Sequence, residues 1–188
     1  MEKRSRQAPS SCLKIVLFGP ESSGKTTLTK QLATYFNTLW LPEYMRTYLE
    51  HKWRNSQETI AKEDLLPIAE GQIVSENKIS SVLDTVLFLD TNVLQIKTYC
   101  EYYYDGWCPP EIAEAALIHK YDYYFLTDID TPWVPDNLRD RPYDREKMFR
   151  IFEKQLVQNK IPFTLLKGSK EKRLAKAISI IKTLTKQK

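Results

Sequence analysis

Apolar residues gather in five short runs, separated by longer stretches with helical periodicity. The runs occupy residues 13–18, 38–41, 85–89, 123–127 and 163–166. Between the second and third runs, Leu65, Ala69 and Ile73 recur at helical spacing within residues 63–80. This alternation predicts repeated βα units, and therefore an α/β fold in which helices flank a five-stranded parallel sheet.

Further helix signals lie in the remaining gaps. Residues 27–36 are helix-forming, and Pro109 and Pro110 predict a helix over 111–119 because proline fixes φ in a first helical turn. The last helix shows an apolar stripe formed by Leu174, Ala177, Ile178, Ile181 and Leu184. Ligands of doubly wound parallel sheets bind beyond the carboxyl ends of the strands, so we expect the chemistry there.

The segment after the first run has the pattern of a phosphate-binding loop. It reads Gly-Pro-Glu-Ser-Ser-Gly-Lys-Thr over residues 19–26, between a predicted strand and a predicted helix. Such a loop turns backbone N–H groups toward a phosphate chain, and the helix adds its positive end. An ordinary glycine-containing turn is the alternative. The residues predicted to bind ATP here are Gly19, Glu21, Ser22, Ser23, Gly24, Lys25, Thr26 and Thr27.

In this interpretation Lys25 bridges the β- and γ-phosphates and Thr26 holds Mg²⁺. The third run ends in Asp90, a carboxylate after four apolar residues, as in a Walker B strand. Mg²⁺ prefers oxygen ligands, so Asp90 is the second candidate for the metal. The alternative is that Asp90 caps a helix beginning near Thr91.

The second run is followed by Pro42-Glu43-Tyr44-Met45-Arg46. If the strand order is 2-3-1-4-5, Glu43 lies at a strand end close to the phosphate loop, where a kinase needs a group to orient and accept a hydroxyl proton. Stabilisation of a first helical turn is the alternative role for Glu43. Arg46 either steers a substrate or pairs with Glu43.

The fourth run precedes a segment rich in proline and aspartate, which predicts a short lid over residues 130–145. Arg139 is the catalytic candidate in it, because a guanidinium meets charge on equatorial phosphate oxygens with two parallel hydrogen bonds. Arg141 is a candidate for nucleotide binding, and Arg145 for a lid role. In the alternative, these arginines form surface ion pairs with Asp136, Asp140 and Asp144.

Composition limits the class of protein. The 188 residues, 42% of them hydrophobic, suffice for one core, so we expect one domain over 13–188 after a flexible segment 1–12. The net charge of +4 arises mainly at the two ends, which favours solvated helix faces over a nucleic-acid surface. No apolar run approaches the roughly twenty residues of a membrane span. The three cysteines form no CxxC pair, which favours a reducing, cytoplasmic location.

An aromatic cluster follows the third run and its predicted helix. It comprises Tyr99, Tyr102, Tyr103, Tyr104 and Trp107. Such clusters are more often core or a subunit interface than a ligand site, so a homo-oligomer stays open.

Taken together, the phosphate loop, Glu43-Tyr44-x-Arg46, Phe88-Leu89-Asp90-Thr91 and the segment from Thr131 to Arg139 resemble the ribosylnicotinamide kinase domain of NadR-type NAD-salvage proteins. The resemblance implies a thymidylate-kinase-like fold and transfer of the γ-phosphate of ATP to the 5′-hydroxyl of nicotinamide riboside, a small-molecule substrate. It also implies that Glu43, Tyr44 and Arg46 bind this acceptor.

The chain departs from that family at two points. It has no His-x-Gly-His element of a nucleotidyltransferase, so only the kinase step is expected. Pro42 stands where better-known members place an aromatic residue, which leaves a different nucleoside or small hydroxyl compound as an alternative acceptor. An ATP-sensing regulator is a further alternative. A GTPase is disfavoured, because Thr127-Asp128-Ile129-Asp130 is not an Asn-Lys-x-Asp guanine reader.

Overall fold

The computed structural model describes residues 6–135 and 143–186. Its centre is a five-stranded parallel sheet, which confirms the predicted sheet. The strands are β1 (Leu13–Phe18), β2 (Trp40–Leu41), β3 (Val86–Asp90), β4 (Tyr123–Thr127) and β5 (Phe163–Leu166). Their order is β2-β3-β1-β4-β5. Because the strands are parallel, the segments after β1, β2 and β3 lie close together at the carboxyl ends of the strands.

Seven α-helices connect and cover the strands in the part of the chain that the structure describes. They are α1 (Lys25–Phe36), α2 (Tyr44–Ser56), α3 (Leu65–Ser80), α4 (Val93–Tyr103), α5 (Pro110–Ile118), α6 (Arg145–Gln158) and α7 (Lys170–Lys186). A 3₁₀ turn, Lys62–Asp64, leads into α3.

Successive residues of each strand point to opposite faces of the sheet, and helices cover both faces. On one face, Ile15 and Leu17 pack with Leu32 of α1 and Ile181 of α7. On the other face, Val16, Phe18, Leu87 and Leu126 pack with residues of α3, α4, α5 and α6, including Ile68, Leu94, Ile112 and Phe152. These two layers fix the strand ends that carry the site.

The segment before β1 differs from the expected flexible one. Gln7 donates from Nε2 to Glu76 Oε1 at 2.7 Å, and the Ala8 N–H donates to Asn77 Oδ1 at 2.7 Å. Ser10 Oγ donates to the carbonyl of Ser80 at 2.9 Å, and Cys12 is only 2% exposed. Residues 7–12 therefore belong to the packed domain, since their polar groups satisfy those of α3.

None of the helices described has both the length and the apolar character that a membrane crossing needs.

Candidate active site

The phosphate loop connects β1 to α1 and has the backbone conformation that its glycines permit. Gly19, Ser22 and Gly24 have φ values of 139°, 54° and 86°. A Cβ on Gly19 would lie 2.7 Å from Thr127 Oγ1, so only glycine fits against β4. Ser23 is fully buried, and its Oγ donates to the Pro20 carbonyl at 2.7 Å. The loop is thus held from outside, which leaves its concave side to a ligand.

Lys25 spans this loop. Its Nζ donates to the carbonyls of Gly19 and Pro20, each at 2.8 Å, and the residue is 8% exposed. These contacts hold a positive charge against the loop, where phosphate oxygens would compete for it.

Thr26 and Asp90, the two residues that the sequence predicts to hold Mg²⁺, are in direct contact. Thr26 Oγ1 donates to Asp90 Oδ2 at 2.5 Å, and Asp90 is 3% exposed. Burial raises the pKa of Asp90, although the positive charge of Lys25 and the Thr26 hydrogen bond oppose the shift. Among the described residues Asp90 Oδ1 has no hydrogen-bond partner. A buried carboxylate oxygen beside a threonine hydroxyl suits Mg²⁺.

The capping alternative for Asp90 is wrong. The residue that caps α4 is Asn92, whose Oδ1 accepts from the backbone N–H of Gln95 at 3.3 Å. Asp90 lies two residues earlier, at the carboxyl end of β3.

Glu43 and Arg46 line the same cavity as the phosphate loop. Glu43 is the N-cap residue of α2, but its side chain makes no capping hydrogen bond. Stabilisation of the first turn by its negative charge stays the alternative role. Arg46 lies 3.9 Å from Glu50 on the exposed face of α2, and its positive charge acts to lower the pKa of Asp90.

Tyr44, expected to bind the acceptor, is directed elsewhere. It is not among the residues that line the cavity. Its ring covers Gly71, where an added Cβ would lie 2.0 Å from Tyr44 Cε1, and its N–H donates to Gln72 Oε1 at 2.8 Å. Tyr44 therefore packs α2 onto α3, because the first turn of α2 directs its side chain at that helix.

The cavity measures about 550 Å³ and extends from the phosphate loop past Glu43. Side chains of α2, α3, α4 and the segment before α3 form its far wall, namely Met45, Leu49, Thr59, Ile60, Leu65, Gln95, Ile96, Tyr99, Cys100, Tyr103 and Tyr104. Desolvation raises the pKa of Tyr99 well above its ordinary value, and the negative charges of Glu21 and Glu43 add to the shift. The wall is thus largely apolar and aromatic.

Sequence reasoning left these tyrosines unassigned. Tyr99 and Tyr103 lie in α4, the helix that directly follows the Walker B strand, and Tyr104 is the next residue. This position in the chain is the signal that could have placed them beside the phosphate loop. Lys62 Nζ lies 5.2 Å from the ring centroid of Tyr104 and 4.7 Å from that of Trp107, and fixes this end of the wall by cation–π contact.

The segment after β4 contacts the phosphate loop at Ser22. Thr131 Oγ1 donates to the Ser22 carbonyl at 2.8 Å, and the Val134 N–H donates to Ser22 Oγ at 3.0 Å. Arg145 Nη2 also donates to the Ser22 carbonyl, at 3.4 Å, while the guanidinium lies 5.8 Å from the Trp133 ring centroid. Burial lowers the pKa of Arg145.

Arg145 is thus at the phosphate loop, in line with a lid role. The two other arginines of the predicted lid, Arg139 and Arg141, and the aspartates Asp136 and Asp140 lie outside the described residues. The remaining aspartate, Asp144, accepts a hydrogen bond from the Tyr102 hydroxyl.

Comparison with known proteins agrees with this geometry. The chain is 27% identical over 173 residues to the trifunctional NAD biosynthesis/regulator protein NadR of Salmonella typhimurium, covering 90% of this chain and 42% of that protein. It is 29% identical over 151 residues to NadR of Escherichia coli, covering 79% of this chain and 37% of that protein. The chain therefore spans less than half the length of these relatives.

Solved structures share the fold. A NadR protein in complex with NR has a TM-score of 0.78 at 20% identity, covering 97% of this chain and 53% of that one. Deoxyadenosine kinase from M. mycoides has a TM-score of 0.68 at 14% identity, covering 91% of this chain and all of that one. The predicted P-loop kinase fold and the resemblance to NadR proteins are both confirmed.

A family model described as "AAA domain" matches residues 14–173, from β1 into α7. The match covers both the phosphate loop and the strand that carries Asp90. This chain belongs to that AAA domain family.

Proposed function

We propose that this protein is an ATP-dependent kinase that transfers the γ-phosphate of ATP to the 5′-hydroxyl of nicotinamide riboside. The main support is that one cavity joins the phosphate loop to Glu43 and to an aromatic wall. A phosphoryl donor and a flat, ring-bearing acceptor can therefore occupy it side by side. The similarity to NadR proteins over 90% and 79% of the chain supports this acceptor.

On the donor side, the inward N–H groups of the loop and the Lys25 ammonium bind the phosphate chain. Thr26 and Asp90 would hold Mg²⁺, which when bound neutralises charge on the phosphate oxygens. Arg145, next to Ser22, adds a cation at the same end of the cavity.

On the acceptor side, Glu43 orients the attacking hydroxyl and accepts its proton late in the transfer, because phosphoryl transfer passes through a loose transition state. Tyr99, Tyr103 and Tyr104 provide apolar surface for the heterocycle. Arg46, one turn beyond Glu43, contacts polar groups of the acceptor or of the transferred phosphate.

The test is a panel of acceptors assayed for phosphorylated product with wild type and Glu43→Gln. The panel holds nicotinamide riboside, nicotinic acid riboside, ribonucleosides, deoxyribonucleosides and small sugars. We expect nicotinamide riboside to be the best substrate. Glu43→Gln should lower kcat for it by about a hundredfold, within the range of general-base effects, while the Kd for ATP stays nearly unchanged.

Two further variants sharpen this test. Lys25→Ala should stop transfer to every acceptor, whereas Glu50→Gln removes a carboxylate that lies 3.9 Å from Arg46 on the exposed side of α2 and should leave turnover intact. A preference for a deoxynucleoside would transfer the proposal to that acceptor, and Pro42 is then the sequence departure behind it. If ATP binds and no acceptor is phosphorylated, an ATP-sensing role replaces the kinase.

A further inference from the structure

Arg173, in the first turn of α7, is a buried cation that joins three separate segments. Only 4% of its side chain is exposed. Nη1 donates to the Ser23 carbonyl at 2.7 Å, Nε to the Gly168 carbonyl at 3.1 Å and Nη2 to the Asp128 carbonyl at 3.1 Å. Nη2 also forms an ion pair with Asp130. The phosphate loop, the segment after β4 and the β5–α7 loop are therefore tied to one guanidinium.

The contact with Ser23 fixes the orientation of a peptide group in the phosphate loop. A trans peptide is planar, so its C=O and N–H point in opposite directions. Because Arg173 holds the Ser23 carbonyl on the outside of the loop, the N–H of Gly24 points to the concave side. A charged donor also polarises the peptide it binds, which strengthens that N–H as a donor to a phosphate oxygen.

The same guanidinium shapes the β5–α7 loop. Asp130 Oδ2 accepts from the Gly168 N–H at 2.5 Å, while the other oxygen of this carboxylate pairs with Arg173. Gly168 has a φ of 92°, a left-handed conformation that favours glycine. The carboxylate and the guanidinium therefore bind the N–H and the C=O of this residue, and Arg173 connects the β5–α7 loop to the phosphate loop.

We propose that Arg173 is a positioning residue for nucleotide binding. It holds the Ser23–Gly24 peptide in the phosphate-binding orientation and locks the β5–α7 loop to the phosphate loop. This role rests on the proposed function, in which a nucleoside triphosphate occupies the phosphate loop. It reaches the ligand only through the backbone, since the bonds of the guanidinium are made to protein oxygens.

The test measures nucleotide affinity separately from stability. Full-length wild type, Arg173→Lys and Arg173→Met are titrated calorimetrically with a non-hydrolysable ATP analogue and Mg²⁺, and each is melted in parallel. Arg173→Met loses several charge-assisted hydrogen bonds, so we expect its Kd to rise about ten- to a hundredfold. Arg173→Lys keeps the charge but not the planar fork, and should lie between wild type and Arg173→Met.

Lys14→Met is the matched control. Lys14 is also a buried cation, paired with Glu76 at 2.9 Å, but it lies at the amino end of β1, away from the phosphate loop. Its loss should lower the melting temperature and leave the Kd within about twofold of wild type. Steady-state assays should show the same division, with Arg173→Lys raising the KM for ATP and not the KM for the acceptor.

If Arg173→Met does not fold, Asp130→Asn replaces it, because it removes the charge that anchors both Arg173 and Gly168. The role of Arg173 is overturned if Arg173→Lys and Asp130→Asn bind the analogue as tightly as wild type. It is also overturned if Lys14→Met loses as much affinity as the Arg173 variants. A wild type that binds the analogue but phosphorylates no acceptor would refute the kinase proposal alone, since the Arg173 comparison still reports on nucleotide binding.

Discussion

Asp90 combines burial with a negative charge that is only partly compensated, and this makes it sensitive to a metal. Its pKa is raised by burial, so keeping it ionised costs free energy in the folded protein. Mg²⁺ bound at Thr26 and Asp90 would favour the carboxylate and so release a proton from any protonated fraction. The Mg²⁺ affinity of the protein should therefore fall as the pH falls through the pKa of Asp90.

Asp90→Asn tests this coupling. The substitution keeps the size of the side chain and removes the charge, so we expect the Mg²⁺ concentration at half-maximal turnover to rise about tenfold or more, by analogy with lost charge-assisted contacts. The pH dependence of that concentration should become flatter in the variant. The measurement is a Mg²⁺ titration of turnover at several pH values. Identical titrations for the two proteins would remove Asp90 from the metal site.

Single residues were predictable from the sequence to the extent that their role is local. The sequence places Lys25 and Thr26 in a contiguous strand, loop and helix, and Asp90 at the end of a buried strand, and the structure has both arrangements, with that strand paired to β1. Their roles toward a nucleotide and Mg²⁺ stay predictions. Tyr44 was misplaced and Tyr103 missed, because the direction of a side chain on a helix depends on which neighbour that helix packs against.

At the scale of elements, the segment between α2 and α3 is held by a polar cluster around Asp64. Lys52 Nζ and the Ala61 N–H each donate to Asp64 Oδ2 at 2.7 Å, and the Tyr48 hydroxyl donates to Oδ1 at 2.9 Å. Burial acts to raise the pKa of Asp64, but these donors outweigh it and the pKa falls below its ordinary value of 3.8. Because Thr59 and Ile60 line the cavity, this cluster also sets part of its wall.

Asp64→Asn should destabilise the fold by about 1–3 kcal/mol at neutral pH, the cost of losing hydrogen bonds to a charged group. A depressed folded-state pKa gives stability that is present above the ordinary value of 3.8 and lost as the pH falls through the lower folded value. The difference between wild type and variant should therefore shrink in that acidic range. Urea unfolding at several pH values measures it.

Glu58→Gln is the control for that series. Glu58 lies 3.7 Å from the same Lys52, but 65% of its side chain is exposed, so its loss should change stability by less than about 0.5 kcal/mol. A gap between wild type and Asp64→Asn that persisted unchanged in acid would contradict the assignment of this stability to the Asp64 charge.

The strands were more predictable than the helices. All five strands were found because each contains a short apolar run, and β1, β3 and β4 at the centre of the sheet are almost entirely buried. Helix α2 was not predicted, since it has no fully buried residue and therefore no clear stripe. Helix α6 buries Met148, Phe152 and Leu156 at regular spacing, but its first residue, Arg145, is the last residue of the segment that the sequence predicts to be a lid.

At the scale of the whole molecule, the carboxyl ends and the amino ends of the strands have different functions. The phosphate loop, Glu43 and Asp90 lie at the carboxyl ends of the strands, where the loops surround a cavity. At the amino ends, the buried ion pair between Lys14 and Glu76 joins β1 to α3. The Tyr121 hydroxyl adds a hydrogen bond to Glu76 Oε2 at 2.9 Å. Substitutions or deletions at the amino ends of the strands should therefore lower the stability of the fold without changing its affinity for nucleotide.

Removal of residues 1–11 tests this separation. It deletes the hydrogen bonds of Gln7 to Glu76 and Lys120 and those of Ala8 and Ser10 to α3. At about 1 kcal/mol each, these four hydrogen bonds should lower the melting temperature by about 8–16 °C. The Kd for an ATP analogue should stay within about twofold of wild type, since the phosphate loop lies at the opposite ends of the strands.

Gln7→Ala provides the intermediate case, because it removes one side chain and leaves the rest of the segment in place. Its Nε2 and Oε1 together bond to Glu76 and to both backbone groups of Lys120, so a substantial part of the loss should follow from this single change. If the truncated protein melts like wild type, the contacts of this segment do not stabilise the domain, as the flexible segment 1–12 predicted from the sequence would require. If its melting temperature falls and its affinity for the ATP analogue falls too, the two ends of the strands are coupled. The conformation of the phosphate loop then depends on the packing at the amino ends.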